Sequence, residues 1–213
     1  MTADTTRIIG TCIEFLAAII GLIVYKKAGL RFRLFALFLF YGFLTDVLTR
    51  SFNTHYNNFA WIVFLTYTFV ESFFFLLFIR FAKILTGIWL KALQASIIII
   101  PILFFPFHFD ILTMQSFHNK YDGYFSFIYQ IIGAGFATAA LLKFVETKEN
   151  ATNHPDYFFL IGIFFYCFCS FSIDFFIGEE IAKKIWWIHD LANIVSYLIF
   201  VKAFLTIGKP AQQ

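Results

Sequence analysis

The sequence predicts an all-α integral membrane protein, a bundle of seven transmembrane helices with its N-terminus outside and its C-terminus in the cytoplasm. Three observations predict it. Seven apolar stretches, each near the ~20 residues that cross a bilayer, alternate with short polar segments. Charged residues make up 14% of the chain and hydrophobic ones 61%, where a soluble domain carries about 25% charged residues. Lys and Arg are shared unequally between the two sets of loops, which sets the orientation.

The spans follow in order. Span 1 covers about residues 8–25, and Thr11, Glu14, Ala18 and Gly21 form a small-and-polar stripe along it, the pattern of a close helix contact. Its start has no cleavage site of small residues, and Lys26 and Lys27 stop it, so it reads as an uncleaved span. Span 2 covers about 34–49, with Gly42, Thr45, Asp46 and Thr49 on one side. Span 3 covers about 59–79, and Tyr67, Thr68, Glu71 and Ser72 cluster at its middle. Span 4 covers about 88–105, with Pro101 expected to kink it and Pro106 to end it.

The segment 107–121 reads as the longest loop. Span 5 covers about 122–144. Two small-residue pairs, Gly133 with Ala137 and Gly135 with Ala139, suit helix packing, and Gln130 lies on the Gly133 side. Asn153, Pro155 and Asp156 are good starting residues for span 6, which covers about 156–177 and carries Tyr166, Ser170 and Asp174 on one face; Gly178 is placed to end it. Span 7 covers about 185–205. The whole chain is one seven-helix transmembrane domain, residues 1–213. Spans 1–3 and 5–7 also read as a weak 3+1+3 parallel repeat around span 4: spans 2 and 6 share Phe-Tyr-x-Phe, at Phe40–Phe43 and Phe165–Phe168, and each is followed by a span that opens with Trp.

The loops between spans 1 and 2, 3 and 4, and 5 and 6, with the C-terminal end, hold eleven of the 16 Lys and Arg residues; the other side holds five. Positive residues mark the cytoplasmic side, in the plasma or bacterial inner membrane. The excess of +3 is spread between apolar segments rather than gathered into a patch, which argues against a nucleic-acid partner. Cys12, Cys167 and Cys169 all fall within spans; they read as buried small apolar residues, not as disulfides.

Span 7 carries the main functional signal. Trp186, His189 with Asp190, Asn193, Ser196 with Tyr197, and Phe200 share one face at helical spacing. Groups this polar cost several kcal/mol, roughly, if they face lipid, so the stripe is expected to face other helices or water. The orientation then places Glu14, Asp46, Asp174, His189 and Asp190 in the outer half of the bundle and Glu71 near the midplane of span 3. Bland readings stand beside these. Asp46 and Arg50 are four residues apart and can pair at the interface. Asp174 can pair with Lys183 or Lys184, and His189 can be a packing histidine.

Glu14, Glu71, His189, Asp190 and Asn193, with Asp46 and Asp174 beside them, are expected to form an outward-facing acidic intramembrane cavity. It would bind a cation, a proton or a small cationic ligand for transport or sensing. Short cytoplasmic loops mean that a sensor would need a separate cytoplasmic signalling or membrane partner. The rival reading is a membrane-embedded hydrolase, metal-dependent or not, using Glu14, Asp46, Asp174, His189 and Asp190. A third is a structural subunit of a membrane complex whose polar stripes only pack. The residues name no cofactor and no metal. Lys202 lies near the inner end of span 7 rather than midway, where a retinal Schiff base would need it, and span 7 lacks a second His for a three-His zinc site.

Overall fold

The computed structural model describes residues 3–52, 57–110, 115–116, 122–174 and 180–207. Within them the chain forms seven α-helices: α1 Ala3–Ile23, α2 Leu30–Phe52, α3 Asn57–Ala82, α4 Gly87–His108, α5 Asp122–Thr147, α6 Pro155–Asp174 and α7 Glu180–Ile207. Six are long and apolar enough to cross a membrane, as a multi-pass membrane protein requires; the apolar part of α1, Ile8–Ile23, is shorter. Most helices run past the apolar spans read from sequence. Polarity sets where lipid ends, but the backbone keeps its own hydrogen bonds into the interface, so the helix continues.

Three expectations need correction. Pro106 does not end α4: both Pro101 and Pro106 lie inside it, and the helix continues to His108. The missing amide removes one helical hydrogen bond without preventing the next turn, where the His108 ring nitrogen Nδ1 bonds to the Phe104 carbonyl at 2.9 Å. The following segment is not all loop, because Phe109–Asp110 (β1) and Gln115–Ser116 (β2) pair antiparallel. Cys12 is exposed on α1 rather than buried. The side chains of Arg50, Asp174, Lys183 and Lys184, and the backbone at Gly178, lie outside the described residues.

Six helices close a ring in the order α1, α2, α3, α5, α6, α7, and α4 packs outside it against α3 and α5. Only 17% of the apolar stretch of α4 is buried, against 39–44% for the other five long spans, which sets it at the periphery. Ring neighbours α1 and α2 run antiparallel, since Gly21 meets Ala36 and Thr11 meets Asp46. Helices α1 and α7 run parallel, with Gly10 against Ile194 and Gly21 against Phe204. We call the end where the odd-numbered helices begin the upper end.

The glycines mark the tightest crossings. A Cβ on Gly162 would collide with the Phe200 ring, and one on Gly133 would lie 3.0 Å from the Cys167 sulfur. Of the two small-residue pairs on α5, Gly133 with Ala137 therefore faces α6, with Ala137 fully buried. Gly135 has open space around it and faces away. Helix α3 stops at Lys83, whose φ of 57° breaks the helical path.

Side chains segregate by height. The lower half is aromatic and aliphatic. Phe35, fully buried, packs against Phe78 at 4.9 Å, Phe159 at 4.7 Å and Phe200 at 4.7 Å between ring centres. Ala17, Ala18, Ile79, Leu160, Ile163, Ala203 and Phe204 fill the space around these rings. At the lower end Arg31 of α2 donates to Asp156 of α6 at 2.6 Å and to the Phe81 carbonyl of α3 at 3.3 Å. This pair joins three helix ends at the boundary of the apolar layer. It was not legible in the sequence, where its members stand 125 residues apart. The upper half holds the buried polar residues.

Candidate functional site

Glu71 sits a little past the middle of α3 and is 4% exposed. Burying an ionised carboxylate is costly unless several donors surround it. Three tyrosines do so. Tyr67, one turn earlier on α3, donates its hydroxyl to Oε1 at 2.9 Å. Tyr166 of α6 donates to the same oxygen. Tyr129 of α5 donates to Oε2 at 2.5 Å. Hydrogen bonds from phenols to a carboxylate are short and about twice as strong as neutral ones. Gln130 completes this shell by donating its amide Nε2 to the Tyr129 oxygen at 3.4 Å. Glu71 thus ties α3, α5 and α6 together at the top of the Phe layer.

Glu14 lies above it on α1 and is 3% exposed. Its place depends on Gly42 of α2: any side chain there would overlap the Glu14 Oε1 atom. Tyr197 of α7 forms a side-chain hydrogen bond with Glu14. Tyr67, bonded to Glu71, and Tyr197, bonded to Glu14, each lie within electrostatic reach of the other carboxylate as well. One turn higher, Thr11 of α1 donates to Asp46 Oδ2 of α2 at 2.9 Å. Asp46 also lies within electrostatic reach of Tyr197.

Helix α7 supplies the third part. Asp190 is 8% exposed, and its Oδ1 lies 3.9 Å from Nδ1 of His189. The Asn193 amide lies 3.4 Å from the same His189 nitrogen. The same nitrogen thus lies beside both polar neighbours, and its role toward each depends on the ring's tautomer. His189 lies within electrostatic reach of Glu71, so this corner adjoins the central carboxylate.

The residues singled out from sequence therefore fall as follows. Glu14 and Glu71 lie near each other, Glu71 bonded by Tyr67 and Glu14 by Tyr197. Asp46 adjoins them through Thr11; the expected pairing of Asp46 with Arg50 falls on a side chain outside the described residues. His189, Asp190 and Asn193 form a cluster on α7 beside them. Asp174 closes α6 at the upper end, with its side chain outside the described residues. Sequence reasoning missed Tyr129 altogether and placed Tyr166 on one face of span 6 without a role in the site. A tyrosine next to a glutamine within an apolar span, at Tyr129-Gln130, was the available signal.

Among the described residues no group of three His, Cys, Asp or Glu side chains lies close enough to hold a metal ion. Comparison of the chain with protein-family models, curated proteins and solved structures found no match.

Proposed function

We propose that this is a seven-span membrane protein that binds a proton or small cation within its buried polar core, for transport or sensing. The observation that supports this reading most is the pair of almost fully buried carboxylates, Glu14 and Glu71, one bonded by Tyr197 of α7 and the other by Tyr67 of α3. Two carboxylates in a low-dielectric interior cannot both stay charged at low cost, so one gains a proton or the site gains a cation. Glu71 is built for the proton. Its donors are phenols, which can donate to the anion and can also accept from the acid after a rotation of the O–H bond. A protonated Glu71 is a weaker acceptor for its three tyrosines, and those tyrosines sit on three helices. Proton binding is thereby coupled to how α3, α5 and α6 meet, the kind of two-state element that a transporter or a sensor requires.

The groups that face this centre are Tyr67 from α3, Tyr129 from α5, Tyr166 and Cys167 from α6, and His189 and Tyr197 from α7, with Glu14 of α1 and Asp46 of α2 beyond. The upper end of the bundle is the outer one by the Lys and Arg distribution, and the ion pair of Arg31 with Asp156 lies at the cytoplasmic end. A reporter fused at Gln213 then reads cytoplasmic, and a periplasmic or extracellular signal rejects this topology. The position of α4 outside a ring of six supports the 3+1+3 repeat; superposing α1–α3 on α5–α7 tests it, and failure of helix directions to match removes it.

The experiment for the proton site is proton uptake by the purified protein on acidification from about pH 8 to about pH 5, the range in which carboxylates and imidazole titrate. The parent takes up about one proton more than Glu71→Gln, as one titrating carboxylate dictates. Equal uptake by the two proteins rejects Glu71 as the proton site.

A further inference from the structure

Two buried polar groups near Glu71 have no partner among the described residues: Oε1 of Gln130 and Oγ of Ser170. Gln130 is 5% exposed and Ser170 fully buried. Such groups cost free energy unless something fills the gap. The orientation of Gln130 is fixed by chemistry. The Tyr129 hydroxyl hydrogen is committed to Glu71, so its oxygen can only accept. The amide nitrogen of Gln130 must therefore face it, which turns Oε1 away with nothing to accept from.

Ser170 lies one turn along α6 from Tyr166, the residue that donates to Glu71 Oε1. Helices α5 and α6 run antiparallel, with Gly133 against Cys167 and Phe127 against Phe171. Gln130 and Ser170 thus occupy the same level of the same seam, one turn above the Gly133 crossing. Glu71 itself has unused capacity there. Oε1 accepts two hydrogen bonds, from Tyr67 and Tyr166, while Oε2 accepts one, from Tyr129 of α5. A carboxylate has about four acceptor positions, so one remains on the oxygen turned toward α5.

We propose that Gln130, Ser170 and Glu71 Oε2 form a subsite for a primary ammonium group at the α5–α6 seam. What these atoms have in common is that they accept hydrogen bonds, so the occupant donates them. Three acceptors match the three N–H donors of an alkylammonium ion, and Glu71 supplies the countercharge. This inference rests on the buried polar core being a cation site and names its substrate class: a small amine that enters as its ammonium ion. Proton and ammonium compete for Glu71, so the site exchanges one for the other.

The test uses the purified full chain at fixed pH and constant ionic strength, with methylammonium, tetramethylammonium or sodium as the chloride. Methylammonium raises the thermal unfolding temperature in a saturable way, while tetramethylammonium, which has no N–H donor, and sodium do not. Gln130→Met and Ser170→Ala each weaken the methylammonium response by about tenfold or more, the loss that follows from one missing charged hydrogen bond. Ser170→Ala removes a single oxygen and is the variant expected to fold normally. Equal responses to all three salts, no response to methylammonium, or parental affinity in a folded Ser170→Ala protein would overturn the subsite. Proton uptake, measured without any amine, separates the two ideas. If methylammonium fails and Glu71-dependent proton uptake persists, only the subsite falls; if both fail, the polar core is not a cation site.

Discussion

Glu71→Leu lowers the stability of the bundle by about 2–4 kcal/mol, because three buried phenol donors lose their common acceptor at roughly 1 kcal/mol or more each. The leucine fills most of the volume, so the loss is one of hydrogen bonding and not of packing. Tyr67, Tyr129 and Tyr166 come from α3, α5 and α6, and their hydroxyls meet at this carboxylate. The effect is read from denaturant unfolding in detergent. A second set of variants identifies its cause. Adding Tyr129→Phe and Tyr166→Phe to Glu71→Leu removes the stranded hydroxyls and recovers a large part of the lost stability, although the same two changes destabilise the parent. Such opposite signs are the mark of groups that act as one network. A Glu71→Leu protein as stable as the parent means that the tyrosines have water or other partners at hand and that Glu71 does not organise them.

The second large effect is steric. Gly162→Ala places a methyl group inside the contact with Phe200, whose Cδ1 would lie 2.7 Å and Cζ 3.0 Å away. Phe200 cannot retreat, because it is 1% exposed and packs on Phe35 at 4.7 Å and Phe159 at 6.0 Å. Overpacking of this kind costs about 1–3 kcal/mol, and more where rings on several helices must shift. Folded yield and unfolding temperature both fall. Phe200→Leu in the same protein frees space and restores part of the loss. Gly135→Ala serves as the control: it has open space, and alanine is the better helix former, so that variant melts at or slightly above the parent temperature. If Gly162→Ala behaves like Gly135→Ala, α6 and α7 are not in contact at this crossing.

These effects bear on how much the sequence could tell. The helices were legible because each depends on local apolarity over one continuous stretch, and a bilayer-length run of Leu, Ile and Phe carries that signal by itself. The buried stripe of α7 was legible too. Asp190, Asn193, Ser196 and Tyr197 repeat at helical spacing in an apolar segment, and lipid excludes such groups; Asp190, Ser196 and Tyr197 are buried. Glu71 stood out for the same reason. Its partners did not. Tyr129 and Tyr166 are 58 and 95 residues away, and a tyrosine in a membrane span usually signals packing or the interface. Which acid meets which phenol depends on helix order and rotation around the ring, and no local pattern encodes either. The peripheral place of α4 was hidden similarly, since lipid-facing and core-facing apolar residues look alike in a membrane sequence. The error at Pro106 has a different source. Proline removes one hydrogen bond, and a rule learned from water-exposed helices overstates that loss where the surrounding lipid offers the backbone no alternative.

The central claim is that Glu71 takes up a proton inside the bundle and that the hydrogen bonds from its three tyrosines weaken when it does. Infrared difference spectroscopy of the protein at high and low pH measures this most directly, because a protonated carboxyl has a C=O stretch that the carboxylate lacks. The parent shows this band on acidification together with tyrosine bands that shift at the same pH, and Glu71→Gln lacks both. A carboxyl band and tyrosine shifts of undiminished size in Glu71→Gln would contradict the account, for the proton would then reside on another group.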